Sequence, residues 1–174
     1  MLEIIRNRRS VRRYLPKQVE PEKIHELLMA AFCAPTAKNL RQVEFVVVQE
    51  PVLLERLSLA TPYSSFAKQA PLVIAICYDT SKARRFQEDC AMAAENIYLE
   101  VTAQGLGACY IQIADGTEAQ AGPPEDYVRS LLGIPSDRRI LCLMTVGYPE
   151  KMPEPHGDSE FDLSRVHHER FGSR

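Results

Sequence analysis

The chain has no tryptophan, no CxxC pair and no apolar run approaching the roughly 20 residues needed to span a bilayer. It also lacks an excess of either charge. The formal net charge over 174 residues is −2, so the overall field favours neither nucleic acid nor an anionic membrane as a partner. The N-terminus, Met1 to Arg13, is basic but has no apolar core and no small-residue cleavage site of a signal peptide. A cytoplasmic protein is expected. The five cysteines (Cys33, Cys77, Cys90, Cys109, Cys142) are odd in number, widely spaced and mostly set among apolar neighbours. The four histidines (His25, His156, His167, His168) stand at no metal-ligand spacing with them. Buried, reduced thiols and no metal site follow. There is no Ser-His-Asp or Cys-His arrangement for covalent catalysis either.

What remains is an ordinary globular composition, 45% hydrophobic and 25% charged, with no internal repeat and no low-complexity stretch. Proline and glycine cluster only near 121–124 and 147–157, which mark loops. A single domain over 1–174 is expected, with 150–174 as a polar C-terminal arm. Leu2 to Arg9 reads as a short helix. Pro21 opens a second, with Ile24, Leu27, Leu28 and Ala31 on one face. Further helices are predicted at 51–60, 64–69, 84–104 and 125–132. The helix at 84–104 has apolar positions nearly all the way round, which predicts burial on most sides. Short, β-branched or continuously apolar runs at 44–49, 72–78, 108–111 and 140–146 read as buried strands. Helices interleaved with four strands give an α+β or α/β domain, and residue patterns leave the strand directions open.

Three segments offer chemistry. Arg8-Arg9-Ser10-Val11-Arg12-Arg13 gathers guanidiniums whose donor forks match phosphate or carboxylate oxygens. Alone it is equally a solvated basic patch, or a contact for nucleic acid. No interleaved aromatics or second basic stripe support the latter. Ala34 to Arg41 is a polar loop between a helix and a strand, able to bring backbone N–H groups and the Asn39 amide to a ligand. Gly105-Leu106-Gly107 precedes a strand and permits either close cofactor approach or a helix C-cap.

Taken in order, these segments resemble the nitroreductase family of FMN-dependent oxidoreductases. The family's RRSxRxF-like start is matched by Arg8 to Tyr14, and its APSAxNxQPWxF-like loop by Ala34 to Phe45. Ala70-Pro71 before a strand, Asp89 and Ala93-Ala94-Glu95-Asn96 on the long helix, Gly105 to Ile111, and Gly147-Tyr148-Pro149 complete the series. The resemblance covers Leu2 to about Phe171. It implies an α+β fold of three α/β/α layers around a mixed, mainly antiparallel sheet. It also implies an arm-exchanged homodimer that packs through the long helix, with FMN in the interface. By position, Arg8, Arg9, Ser10 and Arg12 would hold the phosphate, ribityl chain and pyrimidine edge. Pro35, Thr36, Ala37 and Asn39 would serve the neighbouring subunit's side of the flavin. Gln112 and Ile113 fall where the family offers an N–H to flavin N5.

The implied reaction is ping-pong: hydride passes from NADH or NADPH to flavin N5, then to a flat, electron-poor acceptor such as a nitroaromatic or quinone. Arg12 or Arg41 would supply a cation near N1 and O2. Three departures from the family stand out. Arg41 replaces a glutamine, Gln42-Val43 replace Pro-Trp, and His156 stands where a cation usually reaches the phosphate. Two other readings stay open: a specialised flavin enzyme of the family without nicotinamide turnover, and a non-catalytic FMN-binding module.

Overall fold

A computed structural model describes residues 1–81, 85–116 and 122–173. The elements run α1 (Leu2–Asn7), α2 (Pro21–Phe32), β1 (Val43–Val48), α3 (Pro51–Leu57), β2 (Leu72–Asp79), α4 (Phe86–Ala103), β3 (Gly107–Gln112), α5 (Pro124–Leu132) and β4 (Arg138–Gly147). Short 3-10 turns occupy Ala37–Asn39, Ser65–Gln69, Asp158–Glu160 and Leu163–Arg165. Helices α2, α3 and α5 each begin with proline in the first turn, where its missing N–H costs nothing. The predicted start of the long helix at Arg84 lies outside the described residues.

The strands form one sheet in the order β1-β2-β4-β3, every neighbouring pair antiparallel. Its parallel component is a single bridge, Ser10 to Ala108. Strand β2 is central and covered on both faces, which is why its sequence is continuously apolar. Leu72, Ile74, Ile76 and Tyr78 pack with Leu27 of α2 and Ala93 and Ile97 of α4. Val73, Ala75 and Cys77 pack on the other face with Leu54 and Leu57 of α3 and Val128 of α5. The result is an α+β domain of three layers, helices on both sides of the sheet. Among the described residues no helix is long and apolar enough to cross a membrane.

Two differences from the sequence reading bear on the site. Helix α4 buries one stripe (Asp89, Cys90, Ala93, Ala94, Ile97, Tyr98, Val101), while Ala91, Met92 and Glu95 are exposed. Within one chain the helix therefore buries a single stripe where burial on most sides was expected. Helix α1 stops at Asn7, because Arg8 turns extended (φ −63°, ψ 112°) and the chain from Arg8 onward runs beside β3. Beyond β4 the chain returns along the N-terminal segment. Tyr14 bridges Pro149, the Glu150 N–H donates to Arg13 O at 3.1 Å, and the His156 N–H to Arg6 O at 2.8 Å.

Candidate functional site

The arginine segment is seated by a glycine. A Cβ on Gly107 would lie 2.6 Å from Val11 Cγ2, so only glycine lets Val11 close on the start of β3. The Val11 N–H then donates to Ala108 O at 2.8 Å, and Val11 is buried with Tyr14 and Ala70. Tyr14 locks this in place. Its hydroxyl lies 2.6 Å from Val11 O and 2.7 Å from Thr145 Oγ1, and burial pushes its pKa far above the ordinary phenol value. With Val11 pointing inward, extended alternation turns Arg8, Ser10 and Arg12 to the other side. Ser10 hydrogen-bonds the Tyr98 hydroxyl, which also accepts the Tyr110 N–H at 2.6 Å. The Arg8 guanidinium stands 5.1 Å from the Tyr98 ring centroid, and that of Arg12 stands 5.8 Å from Phe66.

The arm crosses this segment at His156. Arg8 Nη2 and His156 Nε2 are 3.3 Å apart, and His156 Nδ1 is 2.6 Å from Glu160 Oε2. A guanidinium only donates, so Nε2 faces it as the acceptor, while Nδ1 faces the Glu160 carboxylate. Arg9 donates to the Glu154 carbonyl and Arg6 pairs with Asp158. The structure thus brings Arg8 together with Ser10 at Tyr98 and with His156 of the arm, while Arg9 turns to the other side and is held by the Glu154 carbonyl.

Arg12 leads from there into a cleft of about 470 Å³, a size typical of small-molecule sites. Its walls include Thr61, Pro62, Tyr63, Phe66, Tyr110, Gln112 and Asp115. The Gln112 amide is held in place, accepting the Tyr110 hydroxyl at 2.9 Å and donating to Ala114 O at 2.8 Å. Ile113 stands apart from the cleft. Its side chain is buried in the α3/α5 core, and its N–H donates to Leu141 O at 3.0 Å. Leu141 is the extra residue of a bulge where the β2–β4 register shifts, and its carbonyl also accepts the Ala114 N–H at 3.0 Å. Of the predicted pair, Gln112 alone lines the cleft. The wall formed by Thr61 to Phe66 was not read from the sequence; an 81% exposed tyrosine beside a proline turn is the one local sign of it.

The loop residues Pro35, Thr36, Ala37, Asn39 and Arg41 lie elsewhere. The Ala37 N–H donates to Asp89 Oδ1 at 2.9 Å, which ties the loop to the first turn of α4. Thr36 and Arg41 edge a small separate hollow with Phe32 and Phe45. Arg8 instead sits over Tyr98, nine positions further along α4, or about 14 Å at 1.5 Å per residue. One chain therefore does not bring the loop to the arginine segment.

At one edge of this α/β/α domain the arginine segment leads into a cleft lined in part by Tyr63, Phe66 and Tyr110. Residues 5–62 and 55–148 match the nitroreductase family, and the chain belongs to it. It is 33% identical over 177 residues to a Methanothermobacter thermautotrophicus protein whose name gives NADH dehydrogenase/NAD(P)H nitroreductase, covering 98% of this chain and 87% of that protein. A Thermus thermophilus protein named NADH dehydrogenase is 27% identical over 187 residues, covering 91% of this chain and 90% of its own. Among solved structures, an FMN-dependent nitroreductase from Clostridium difficile R20291 superposes with a TM-score of 0.95 at 35% identity, covering 98% of this chain and all of the other.

Proposed function

We propose that this chain is a cytoplasmic, homodimeric FMN-dependent oxidoreductase that passes hydride from NADH or NADPH to a flat, electron-poor acceptor such as a nitroaromatic or quinone. The observation that carries the reading is the Val11–Gly107 seat. It sets Arg8, which meets His156 of the arm, on the same segment whose Arg12 lines an aromatic cleft. That donor set fits a flavin mononucleotide, an anionic phosphate at one end and a flat ring at the other. The names of the relatives support it: an FMN-dependent nitroreductase at 35% identity, and proteins named for NADH or NAD(P)H.

When bound, FMN would supply the redox chemistry that links the nicotinamide to the second substrate in ping-pong order. The protein's part is binding and electrostatics. Arg8 and Arg9 offer charge-assisted hydrogen bonds to the phosphate, worth about 1.5–3 kcal/mol each. Ser10 serves the ribityl chain, and Arg12 offers a cation to the pyrimidine edge. The Gln112 end of β3 borders the ring. Pro35, Thr36, Ala37, Asn39 and Arg41 of a second copy close the other side, which accounts for their separation from Arg8 within one chain.

The test is anaerobic. Protein loaded with FMN and mixed with NADH or NADPH should lose the visible flavin band, and adding a quinone should restore it. A colourless protein that retains no FMN after dialysis rules out the flavin reading. A yellow protein bleached by neither nucleotide leaves the specialised or non-catalytic flavin protein instead.

A further inference from the structure

Asp89 is a carboxylate at 5% exposure in the first turn of α4, and the function proposed above makes no use of it. Its Oδ1 accepts the Ala37 N–H at 2.9 Å and its Oδ2 the Tyr78 hydroxyl at 3.1 Å. Both partners are neutral. A buried charge held this way needs good hydrogen bonds, and the positive end of α4 adds to them. Burial, reinforced by Asp89 itself, pushes the Tyr78 hydroxyl up to about 12, so it remains a donor at neutral pH. The same hydroxyl lies 3.3 Å from Gln42 Oε1, and Gln42 Nε2 donates to Asp79 O at 2.7 Å. Asp89 and Gln42 therefore grip the two ends of one short loop, at Ala37 and at position 42.

Between those anchors the backbone is unusual. Lys38, Asn39 and Arg41 have φ of 54°, 55° and 53°, the left-handed region that residues with a Cβ seldom adopt. Within the loop, the Arg41 N–H donates to Thr36 Oγ1 at 3.0 Å and Arg41 Nε to Asn39 Oδ1 at 3.3 Å. Three such residues in four positions persist only where the surroundings hold them. The bonds to Thr36 close the turn, and the buried carboxylate fixes its Ala37 end.

We propose that Asp89 is the positioning residue for the ring side of the flavin site: by gripping the Ala37 N–H it sets the left-handed turn that presents Asn39 and Arg41 across the subunit boundary. The inference rests on the flavin reading above. It separates two functions of the site along α4, with the phosphate end governed near Tyr98 and the ring end near Asp89.

Apo-protein is titrated with FMN by flavin fluorescence quenching, comparing wild type, Asp89→Leu, Ala37→Pro and Arg8→Ala. Asp89→Leu and Ala37→Pro should each raise the FMN Kd about tenfold, the scale of one hydrogen bond to a charged group. At saturating FMN both should alter the visible spectrum of the bound ring, whereas Arg8→Ala should raise the Kd and keep the wild-type bound spectrum. Ala37→Pro carries the test if Asp89→Leu does not fold. Thr36 (φ −128°, ψ 152°) already has the conformation that precedes proline, so this change deletes the N–H and little else. Wild type that binds no FMN defeats the flavin reading itself. Wild type that binds, with folded variants of unchanged Kd and spectrum, defeats the role of Asp89 alone.

Discussion

Gly107 and Val11 touch with no space for a side chain between them; a Cβ on Gly107 would meet both Val11 Cγ2 and, at 2.7 Å, its Cβ. Gly107→Ala must push the N-terminal segment off β3. A stability loss of about 1–3 kcal/mol is expected, as for other overpacked sites, measured from the denaturant midpoint. FMN affinity should fall as well, because Arg8 and Arg12 move with Val11. A variant with wild-type stability and affinity would show that the segment is not seated by this contact.

The thiols should divide by burial. Cys33 is exposed and the other four are buried. Burial pushes Cys77 up to about 12 and raises Cys90, Cys109 and Cys142 as well. A thiol reagent at mildly alkaline pH should therefore modify Cys33 in the native protein and the other four only after denaturation. Cys33→Ser should leave the native protein unreactive.

Acid sensitivity has an identifiable source at Glu20. The Tyr148 hydroxyl at 2.7 Å, then a backbone hydrogen bond, and less strongly Lys17 at 3.2 Å lower its carboxyl to about 2. A depressed folded value contributes stability above the ordinary carboxylate value of 4.5, and that contribution is lost as pH falls toward 2. Thermal melts from pH 6 downward should show Glu20→Gln with a shallower acid decline than wild type between those two values. Parallel declines would exclude this carboxylate as a contributor.

His156 offers an imidazole beside Arg8 where a guanidinium would serve a phosphate better. His156→Arg should tighten FMN binding about tenfold at low salt, the gain of one charge-assisted contact, and the gain should shrink as salt is added. Without FMN the same variant should be no more stable than wild type, since the new guanidinium faces that of Arg8. Equal FMN affinity in the two proteins would place the phosphate away from His156.

Much of the framework was legible because it depends on local chemistry. The run Leu72 to Tyr78 announces a strand covered on both faces, and proline at 21 and 51 marks two helix starts. What escaped depends on contacts between distant residues. Helix α1 ends early because the chain beyond it pairs with Ala108, a bond that no periodicity in residues 2–9 reveals. The burial expected on most sides of α4 is met within one chain along a single stripe, and Ala91 and Ala103 are exposed. Ile113 looked available for a ligand until the bulge at Leu141 supplied its N–H with a partner. Asp89 was visible as a residue, but its grip on Ala37 spans 52 positions.

The separation of Ala37 and Arg8 along α4 has a thermodynamic consequence in the proposed dimer. If one flavin must touch the arginines of one copy and the loop of another, cofactor binding and self-association are a single linked equilibrium. Each tightens the other by the same factor. Diluting the protein then strips it of flavin at fixed free FMN, and flavin in turn slows the exchange of subunits between dimers.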